Sequence, residues 1–294
     1  MKRTWRACAF LCAWALTACG GASGGTNAAL PVVAAENVWG SVVAQIGGAR
    51  VRVRSILTDP NADPHEFESD VATARAVADA RYIVLNGVGY DAWADKLLAA
   101  GGRADRVVLR AGEVVGKQPG ANPHLWYDPS DVARIADRIE ADLERIDPAG
   151  SEYYRRQRML FAQACRPYRA RIEALRSRFR GQRVGATEDI VEYLASAAGL
   201  NLTTPPAFMR AVANGTEPPA SDVLTLHRQI EARAFAVLLY NTQTSTSVTR
   251  DMRDRSHARG IPIVNVTETV VPPNGRFEDW QLDQVRRLQA ALTR

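Results

Sequence analysis

Two short segments carry the most distinctive chemistry in this chain, and each places a histidine directly behind a proline. They are Asp63-Pro64-His65 and, 59 residues further on, Asn122-Pro123-His124, and together they contain two of the four histidines. Imidazole is the commonest metal ligand in proteins, and it binds best when rigid backbone aims it. Proline fixes its own φ and drives the preceding residue toward an extended conformation. Both histidines are therefore predicted to lie at defined turns, as metal ligands do.

Two glutamates complete the candidate set. Glu188 and Glu268 each come just after a short apolar run that is predicted to be a strand. Ligands of parallel α/β sheets bind beyond the carboxyl ends of the strands. We therefore expect His65, His124, Glu188 and Glu268 to bind one divalent cation together. Glu188 could instead cap a helix, where the helix dipole favours an acid, and Glu268 could be a solvated loop residue.

The remaining two histidines are expected to play no part in metal binding. His227 and His257 both fall in helical patterns beside arginines, and a lone histidine is more often a surface or core residue than a ligand. They provide internal controls for the assignment of His65 and His124.

Strand and helix patterns alternate along the chain and would position these residues. In the first half the predicted strands are 31–35, 51–57, 82–85 and 106–109, and the predicted helices are 38–46, 71–80, 92–99 and 132–146. In the second half the strands are 183–186, 202–204, 236–240 and 262–266, and the helices are 190–198, 223–232, 248–258 and 280–292. This alternation predicts an α/β fold with two four-stranded parallel lobes, residues 30–147 and 181–294. Two candidate ligands come from each lobe, so the metal site is expected in the cleft between them.

One long helical pattern, residues 148–180, is predicted to join the lobes. Asp147 is in position to cap it, Pro148 suits the first helical position, and apolar residues then recur every three or four positions. At 1.5 Å per residue it would extend ~50 Å, which suits a strut between lobes. Pro167 removes a hydrogen bond inside this pattern, so a kink is expected there.

The N-terminal region has the pattern of an export signal. Basic residues precede an apolar stretch, residues 7–16, that is too short to span a bilayer. It ends in Leu16-Thr17-Ala18-Cys19-Gly20, which resembles the bacterial lipobox and implies cleavage after residue 18 and lipidation of Cys19. An ordinary signal peptide with an incidental cysteine is the alternative. Residues 19–29 then form a lipidated tether, and the folded part is expected outside the cytoplasm, anchored to the membrane by lipid.

Charge and cysteine content restrict the partners and the stabilising bonds. Residues 1–18 carry three basic residues and no acids, so their removal leaves 34 basic and 32 acidic residues, a balance of +2. So small and dispersed a charge gives no reason to expect a nucleic-acid partner. Of the cysteines beyond the tether only Cys165 remains, so no internal disulfide is expected. Stability must come from burial, and the chain is long enough for two cores.

The chain resembles the metal-binding lipoproteins that present zinc or manganese to ABC importers, solute-binding proteins of the cluster A-I type. The resemblance covers nearly everything after the tether. Asp63-Pro64-His65-Glu66-Phe67-Glu68 and Asn122-Pro123-His124-Leu125-Trp126-Tyr127-Asp128-Pro129 are similar to its first two ligand motifs. Glu188, Tyr193, Gly199 and Leu200 match the spacing of the third, and 86–93 is similar to its turn before a tryptophan. The fourth ligand of the family is usually aspartate, whereas this chain offers Glu268.

That resemblance implies two α/β lobes on a long helix, a membrane permease as partner, and a monomer that transports metal and is not an enzyme. Two imidazoles and two carboxylates suit Mn²⁺ or Fe²⁺ and permit Zn²⁺. The lack of a third histidine and of a histidine-rich loop in 112–121 favours manganese modestly. Three alternatives carry less support: a metallohydrolase, although no His-Glu-x-x-His segment is present; a lipid-anchored adhesin with an incidental metal; and a dinucleotide turn at Gly87-Val88-Gly89.

Overall fold

The computed structural model describes residues 29–294, and within them eight strands form two separate parallel sheets. The predicted signal peptide and Cys19 lie outside the described residues. The strands are β1 (Leu30–Glu36), β2 (Val51–Leu57), β3 (Tyr82–Leu85), β4 (Val107–Arg110), β5 (Arg183–Ala186), β6 (Asn201–Leu202), β7 (Leu238–Asn241) and β8 (Ile263–Val266). The first sheet has the order β2-β1-β3-β4 and the second the order β6-β5-β7-β8. The predicted α/β class with two four-stranded parallel lobes is confirmed.

Helices cover the faces of both sheets. They are α1 (Asn37–Gly47), α2 (Val71–Asp79), α3 (Ala92–Ala99), α4 (Ala111–Val115), α5 (Pro129–Ile146), α6 (Ser151–Ala164), α7 (Arg166–Phe179), α8 (Glu192–Ala197), α9 (Pro206–Ala213), α10 (Ala220–Glu231), α11 (Ser247–Ala258) and α12 (Phe277–Leu292). The sequence patterns did not predict α4 or α9, and α4 is too short to show a clear helical period. Among residues 29–294 no helix has both the length and the apolar character needed to cross a membrane.

In each sheet there is one point at which the order of the strands reverses along the chain. Chain order reverses between β1 and β3 in the first sheet and between β5 and β7 in the second. All four residues of β3 and of β7 are buried, as expected for central strands with helices on both faces. The crevice outside the carboxyl ends of such a strand pair is the usual ligand-binding position in open α/β sheets.

The predicted linking helix is divided in two. Residues Pro148–Gly150 form a 3₁₀ turn, and α6 and α7 follow with an interruption at Cys165, two residues before Pro167. Cys165 keeps right-handed helical angles (φ −74°, ψ −13°), so right-handed backbone continues through the interruption. Pro167 has no N–H and its ring crowds the carbonyl of the preceding turn, which explains a break just before it.

Asp147 lies at the N-cap position of this segment, directly before Pro148, as the sequence predicts. Its carboxylate makes no capping bond. Instead it accepts hydrogen bonds from Arg50 Nε at 2.8 Å and from the Tyr154 hydroxyl at 2.7 Å. Asp147 therefore ties the start of the linking segment to the turn before β2.

The two lobes share one apolar core, whereas the sequence suggested one core for each lobe. A contiguous cluster of buried side chains extends from β1 and α1 through the linking segment to α12. Phe277 of α12 lies 6.2 Å from Phe161 and 6.1 Å from Tyr168, between ring centroids. A smaller cluster, which includes Ile83 and Val77, fills the other face of the first sheet. The lobes are therefore packed against each other and against the linking segment.

Buried hydrogen bonds also cross between the lobes. The Asn37 side chain donates to the carbonyl of Val270 at 3.1 Å and accepts from its N–H at 2.9 Å. The Tyr127 hydroxyl donates to the carbonyl of Thr267 at 2.8 Å. A wide opening of the two lobes would break these bonds and expose the shared core.

Candidate metal centre

Each of the two histidines lies in a turn of the same kind. In each, the residue two positions earlier accepts the histidine N–H with its side-chain oxygen: Asp63 Oδ1 for His65 at 2.9 Å, and Asn122 Oδ1 for His124 at 3.0 Å. Aspartate and asparagine favour this turn because their short side chains reach the backbone two residues on. The Asx-Pro-His pattern therefore determines the backbone of both segments, beyond the restriction that proline alone provides.

The structure brings the four predicted side chains together in the cleft between the lobes. One donor atom from each of His65, His124, Glu188 and Glu268 lies within 4.8 Å of all the others. The two imidazole rings are 6.2 Å apart between centroids. Of the four, His65 alone is open to solvent, with 22% of its side chain exposed, whereas the other three are fully buried.

The contact distances define a small cage. His124 Nε2 lies 3.5 Å from Glu188 Oε1 and 3.4 Å from Glu268 Oε2. His65 Nε2 lies 3.9 Å and 3.4 Å from the same two oxygens. For metal–ligand distances of about 2.0–2.1 Å, a tetrahedral site has ligand atoms about 3.3–3.4 Å apart. Three of these four nitrogen–oxygen distances are close to that spacing, and no donor atom lies more than 4.8 Å from another, so a moderate contraction would close the cage on an ion.

Hydrogen bonding fixes the tautomer of His124. Its Nδ1 lies 2.8 Å from Asn122 Oδ1, which can only accept, so Nδ1 carries the proton. The other ring nitrogen, Nε2, points into the cage, is buried and has no hydrogen-bond partner. Glu188 Oε1 is also buried and without a partner. Buried polar atoms are nearly always paired, so these two facing atoms without hydrogen bonds, each a metal ligand once deprotonated, fit a cation between them.

The outer oxygens of the two carboxylates are held by side chains that the sequence did not single out. Asn241 is the last residue of β7, and its Nδ2 donates to Glu188 Oε2 at 2.6 Å and to Glu268 Oε1 at 2.7 Å. The Thr244 hydroxyl donates to Glu188 Oε2 at 2.5 Å. Asn241 lies just beyond a strand that the sequence predicted to end at residue 240. The glutamates were selected because they follow predicted strands, and the same criterion would have selected Asn241 if amide side chains had been included.

Tyr90 closes one side of the cage. Its hydroxyl donates to Glu268 Oε2 at 2.6 Å, and its ring lies 5.1 Å from His65 and 6.1 Å from His124 between centroids. Tyr90 follows the Gly87-Val88-Gly89 turn, whose backbone amides at Asn86 and Gly87 are bonded to Asp91. That turn therefore supports the tyrosine, and its amides face a carboxylate of the protein itself.

A buried glutamine connects the loop that carries His65 to the loop that carries Glu268. Gln243 Nε2 donates to the carbonyl of Ala62 at 2.9 Å, in the loop that carries His65. Its Oε1 accepts from the backbone N–H of Glu268 at 2.7 Å and of Thr269 at 3.1 Å. One amide side chain thus fixes the position of His65, from the first lobe, relative to Glu268, from the second.

The charges of the four groups are strongly coupled. Burial favours the neutral imidazole, but the adjoining Glu268 and Glu188 carboxylates outweigh it and raise the pKa of His65 to about 9. The pKa of His124 is raised for the same reason. Burial and the charge of Glu268 raise the pKa of Glu188 to about 7. Although burial opposes it, contact with both histidines lowers the pKa of Glu268. The metal-free site therefore holds protons that a cation would displace.

A cavity of about 570 Å³ leads from the surface to His65. Tyr90, Asn122, Asp189 and Met209 are among the residues that line it. It lies on the same side as the one exposed donor and gives a hydrated ion a route to the cage.

The other two histidines lie away from the cage. His227 on α10 bonds to Asp251 on α11, with His227 Nε2 2.9 Å from Oδ2. His257 lies on α11, beside a surface hollow near the start of β8. The structure therefore brings together the two histidines predicted to bind metal and places the other two elsewhere.

Comparisons with known proteins identify relatives that bind metals. The sequence model of the ZnuA family, described as zinc-uptake complex component A periplasmic, matches residues 32–291. The chain is 30% identical over 144 residues to the manganese-binding lipoprotein MntA of Halalkalibacterium halodurans, covering 46% of this chain and 47% of MntA. A metal ABC transporter substrate-binding lipoprotein of Lactococcus lactis is 22% identical over 283 residues, or 88% of each chain.

The alignments with MntA and with three further curated relatives span about half the length of those proteins. Among solved structures, the periplasmic zinc binding protein TroA from Treponema pallidum superposes with a TM-score of 0.76 at 18% identity. That superposition covers 90% of this chain and 100% of TroA. At this identity the similarity shows a shared fold.

Proposed function

The chain belongs to the ZnuA family of zinc-uptake components, and from that premise we propose that it is the solute-binding component of an ABC-type importer for a divalent transition metal. The lipoproteins of H. halodurans and L. lactis support this, since one is named for manganese binding and the other for a metal ABC transporter. In this proposal the metal is the transported ligand, and the permease in the membrane receives it.

The observation that carries the proposal is the buried cage of four donor atoms. We propose His65, His124, Glu188 and Glu268 as the metal ligands. Two of the donor atoms, His124 Nε2 and Glu188 Oε1, are buried without any partner in the protein. A cation between them would satisfy both, and it would offset the repulsion between the two buried carboxylates.

Two imidazoles and two carboxylates suit several first-row dications. Zinc, manganese and iron(II) all accept this donor set, and zinc binds most nitrogen and oxygen sites more tightly than manganese does. We therefore propose Mn²⁺ or Zn²⁺ as the transported ion, with Fe²⁺ as a further candidate.

We propose a role in binding and transfer, without catalysis. A catalytic zinc keeps a coordination position open for water or substrate, with a general base beside it. Here four protein donors surround the centre, with nitrogen–oxygen distances of 3.4–3.9 Å and no donor more than 4.8 Å from another, which supports a closed site.

We propose that the protein lies outside the cytoplasm as a monomer, anchored by lipid on Cys19. The lipobox-like sequence and the relatives named as lipoproteins support the anchor. In this arrangement residues 1–18 are removed, 19–29 form the tether, and the lobes 30–147 and 181–294 lie on either side of the linking segment 148–180.

Release is proposed to occur through the His65 loop, without wide separation of the lobes. The shared core and the buried bonds between Asn37 and Val270 oppose a wide opening. His65 is the one partly exposed ligand, and its loop is held to the second lobe by Gln243. Movement of that loop would remove one ligand and expose the ion to the permease.

The test is metal binding by the purified protein and two histidine variants. His124→Ala removes an imidazole that points into the cage and should weaken binding of zinc and of manganese by at least about a hundredfold. His227→Ala is the matched control, since that imidazole bonds to Asp251 away from the site. Isothermal titration calorimetry on chelator-treated protein measures both. Equal affinities in the two variants would contradict the proposed ligand set.

A further inference from the structure

We propose that Asn241 and Thr244 determine metal selectivity, because they hold both site carboxylates to single-oxygen binding and so favour a four-coordinate ion such as Zn²⁺ over Mn²⁺. The inference rests on the proposed metal-binding function. Neither residue would contact the ion; each acts as a positioning residue through a carboxylate.

The hydrogen bonds divide the four carboxylate oxygens into two kinds. The oxygens that face the imidazoles are Glu188 Oε1 and Glu268 Oε2. The other oxygen of each group faces Asn241, which uses one N–H for Glu188 Oε2 and the other for Glu268 Oε1. Both N–H groups of the Asn241 amide therefore donate to the oxygens that face away from the cage.

Thr244 adds a second donor to the same oxygen of Glu188, at 2.5 Å. The Asn241 amide is itself held, since its Oδ1 accepts the backbone N–H of Gln243 at 3.0 Å. The clamp formed by Asn241 and Thr244 is therefore fixed to the backbone after β7 and cannot follow a carboxylate that rotates.

Burial makes the clamp hard to displace. Glu188 and Glu268 are fully buried, and Asn241 and Thr244 are 1% and 3% exposed. Binding an ion through both oxygens would require each carboxylate to turn and give up its bonds to the clamp. Little solvent reaches these atoms to replace the lost bonds, and an unpaired buried donor carries a large penalty.

Mn²⁺ prefers more ligand atoms than the two clamped carboxylates and the two imidazoles supply. Mn²⁺ prefers six ligands in octahedral geometry, whereas Zn²⁺ is commonly bound by four in a tetrahedron. Two histidines and two carboxylates reach six ligands only when both carboxylates bind through two oxygens or when water enters. With each carboxylate limited to one oxygen, the protein supplies four donors, and a six-coordinate ion would need two water molecules as well.

The preference for zinc inferred from these hydrogen bonds differs from the preference for manganese that the types of donor residue alone indicate. The presence of Glu188 in place of a third histidine favours manganese, because carboxylates can bind through two oxygens. The structure removes that freedom from Glu188 and Glu268. The geometry of the amide and hydroxyl donors, which the ligand motifs do not contain, then sets the preference.

The experiment compares Asn241→Ala and Thr244→Val with Thr242→Val. The Thr242 hydroxyl bonds to the carbonyl of Val266 and so provides a matched control in the same loop. Competition titrations give the ratio of the manganese and zinc dissociation constants for each folded protein. Cobalt(II) is the spectroscopic probe, because a tetrahedral site absorbs visible light much more strongly than an octahedral one. Thr244→Val is nearly isosteric, which guards against misfolding of Asn241→Ala.

We expect the unaltered protein and Thr242→Val to give the strong tetrahedral cobalt spectrum. Both clamp variants should lower the ratio of manganese to zinc dissociation constants by about tenfold, the equivalent of one lost hydrogen bond, and weaken the cobalt absorption. Unchanged ratios and spectra in both variants, or a six-coordinate spectrum in the unaltered protein, would overturn the clamp. An unaltered protein that binds neither zinc nor manganese would instead contradict the proposed function itself.

Discussion

Metal binding at neutral pH should release at least one proton from the site, the one held by His65. The pKa of His65 is raised to about 9 and that of His124 is also raised, by the carboxylates beside them. The imidazole of His65 is therefore protonated at pH 7 in the metal-free protein, and the raised pKa of His124 favours the protonated form of that ring. Only the neutral imidazole can bind a metal, so each must lose its proton as the ion enters.

The size of the effect follows from linkage. Each proton displaced makes the affinity rise about tenfold per pH unit, so the His65 proton alone gives about tenfold between pH 6 and pH 7. Protons displaced from His124 and Glu188 make the rise steeper. The rise should slow as the pH approaches the pKa of His65, about 9, where that proton is already lost. A site of ordinary, isolated histidines would level off near pH 6.5.

Calorimetric titration in buffers of different ionisation enthalpy measures the number of protons directly. His65→Gln should reduce the number by one, whereas His227→Gln, away from the site, should leave it unchanged. No proton release at pH 7, or an affinity that stays flat between pH 6 and pH 8, would refute the coupling of the imidazoles to the buried carboxylates.

Four further results are expected. Gln243→Ala should weaken metal binding, measured by calorimetric titration, by about 10–100-fold, because the His65 loop loses its bond to the second lobe. Gln229→Ala is the control and should leave the affinity unchanged, since the Gln229 side chain bonds to Thr203 away from the site. The free energy of unfolding of the metal-free protein, measured by denaturant titration, should fall as the pH rises from about 6.5 to about 9. In this range the folded protein still binds the His65 proton more tightly than the unfolded chain does, and that contribution is lost as the pH reaches the raised pKa of His65. Cys165, whose pKa is raised to about 12 by burial, should react with thiol reagents only after unfolding. Asp147→Asn should lower the free energy of unfolding by about 1 kcal/mol through the weakened bonds at the start of the linking segment.

The repeated α/β architecture was predictable because each lobe alternates clear strand and helix periods. Strands β2, β3 and β5 begin and end where the sequence predicts, and the others differ by one or two residues at an end. Short elements were not predictable, since α4 has five residues and shows little more than one helical turn. The shared core could not be predicted either, because Phe161 and Phe277 are far apart in the chain and nothing local indicates that they pack together.

Within the site, residue type and position after a strand were enough to select the four side chains that meet. Ligand chemistry is limited to few residue types, so His65 and Glu188 stand out in a sequence. Asn241, Thr244 and Gln243 do not stand out, because asparagine, threonine and glutamine at the start of a loop are typical of ordinary caps and turns. Their role depends on which oxygen each one faces, and only the folded chain determines that.

The most direct test of the central claim is a crystal structure of the metal-loaded protein with anomalous diffraction measured at the absorption edge of the bound metal. We predict one strong peak in the cleft, about 2.0–2.2 Å from a nitrogen of His65 and of His124 and from an oxygen of Glu188 and of Glu268. A peak bound by residues of one lobe only, or one located outside the cage, would contradict the account.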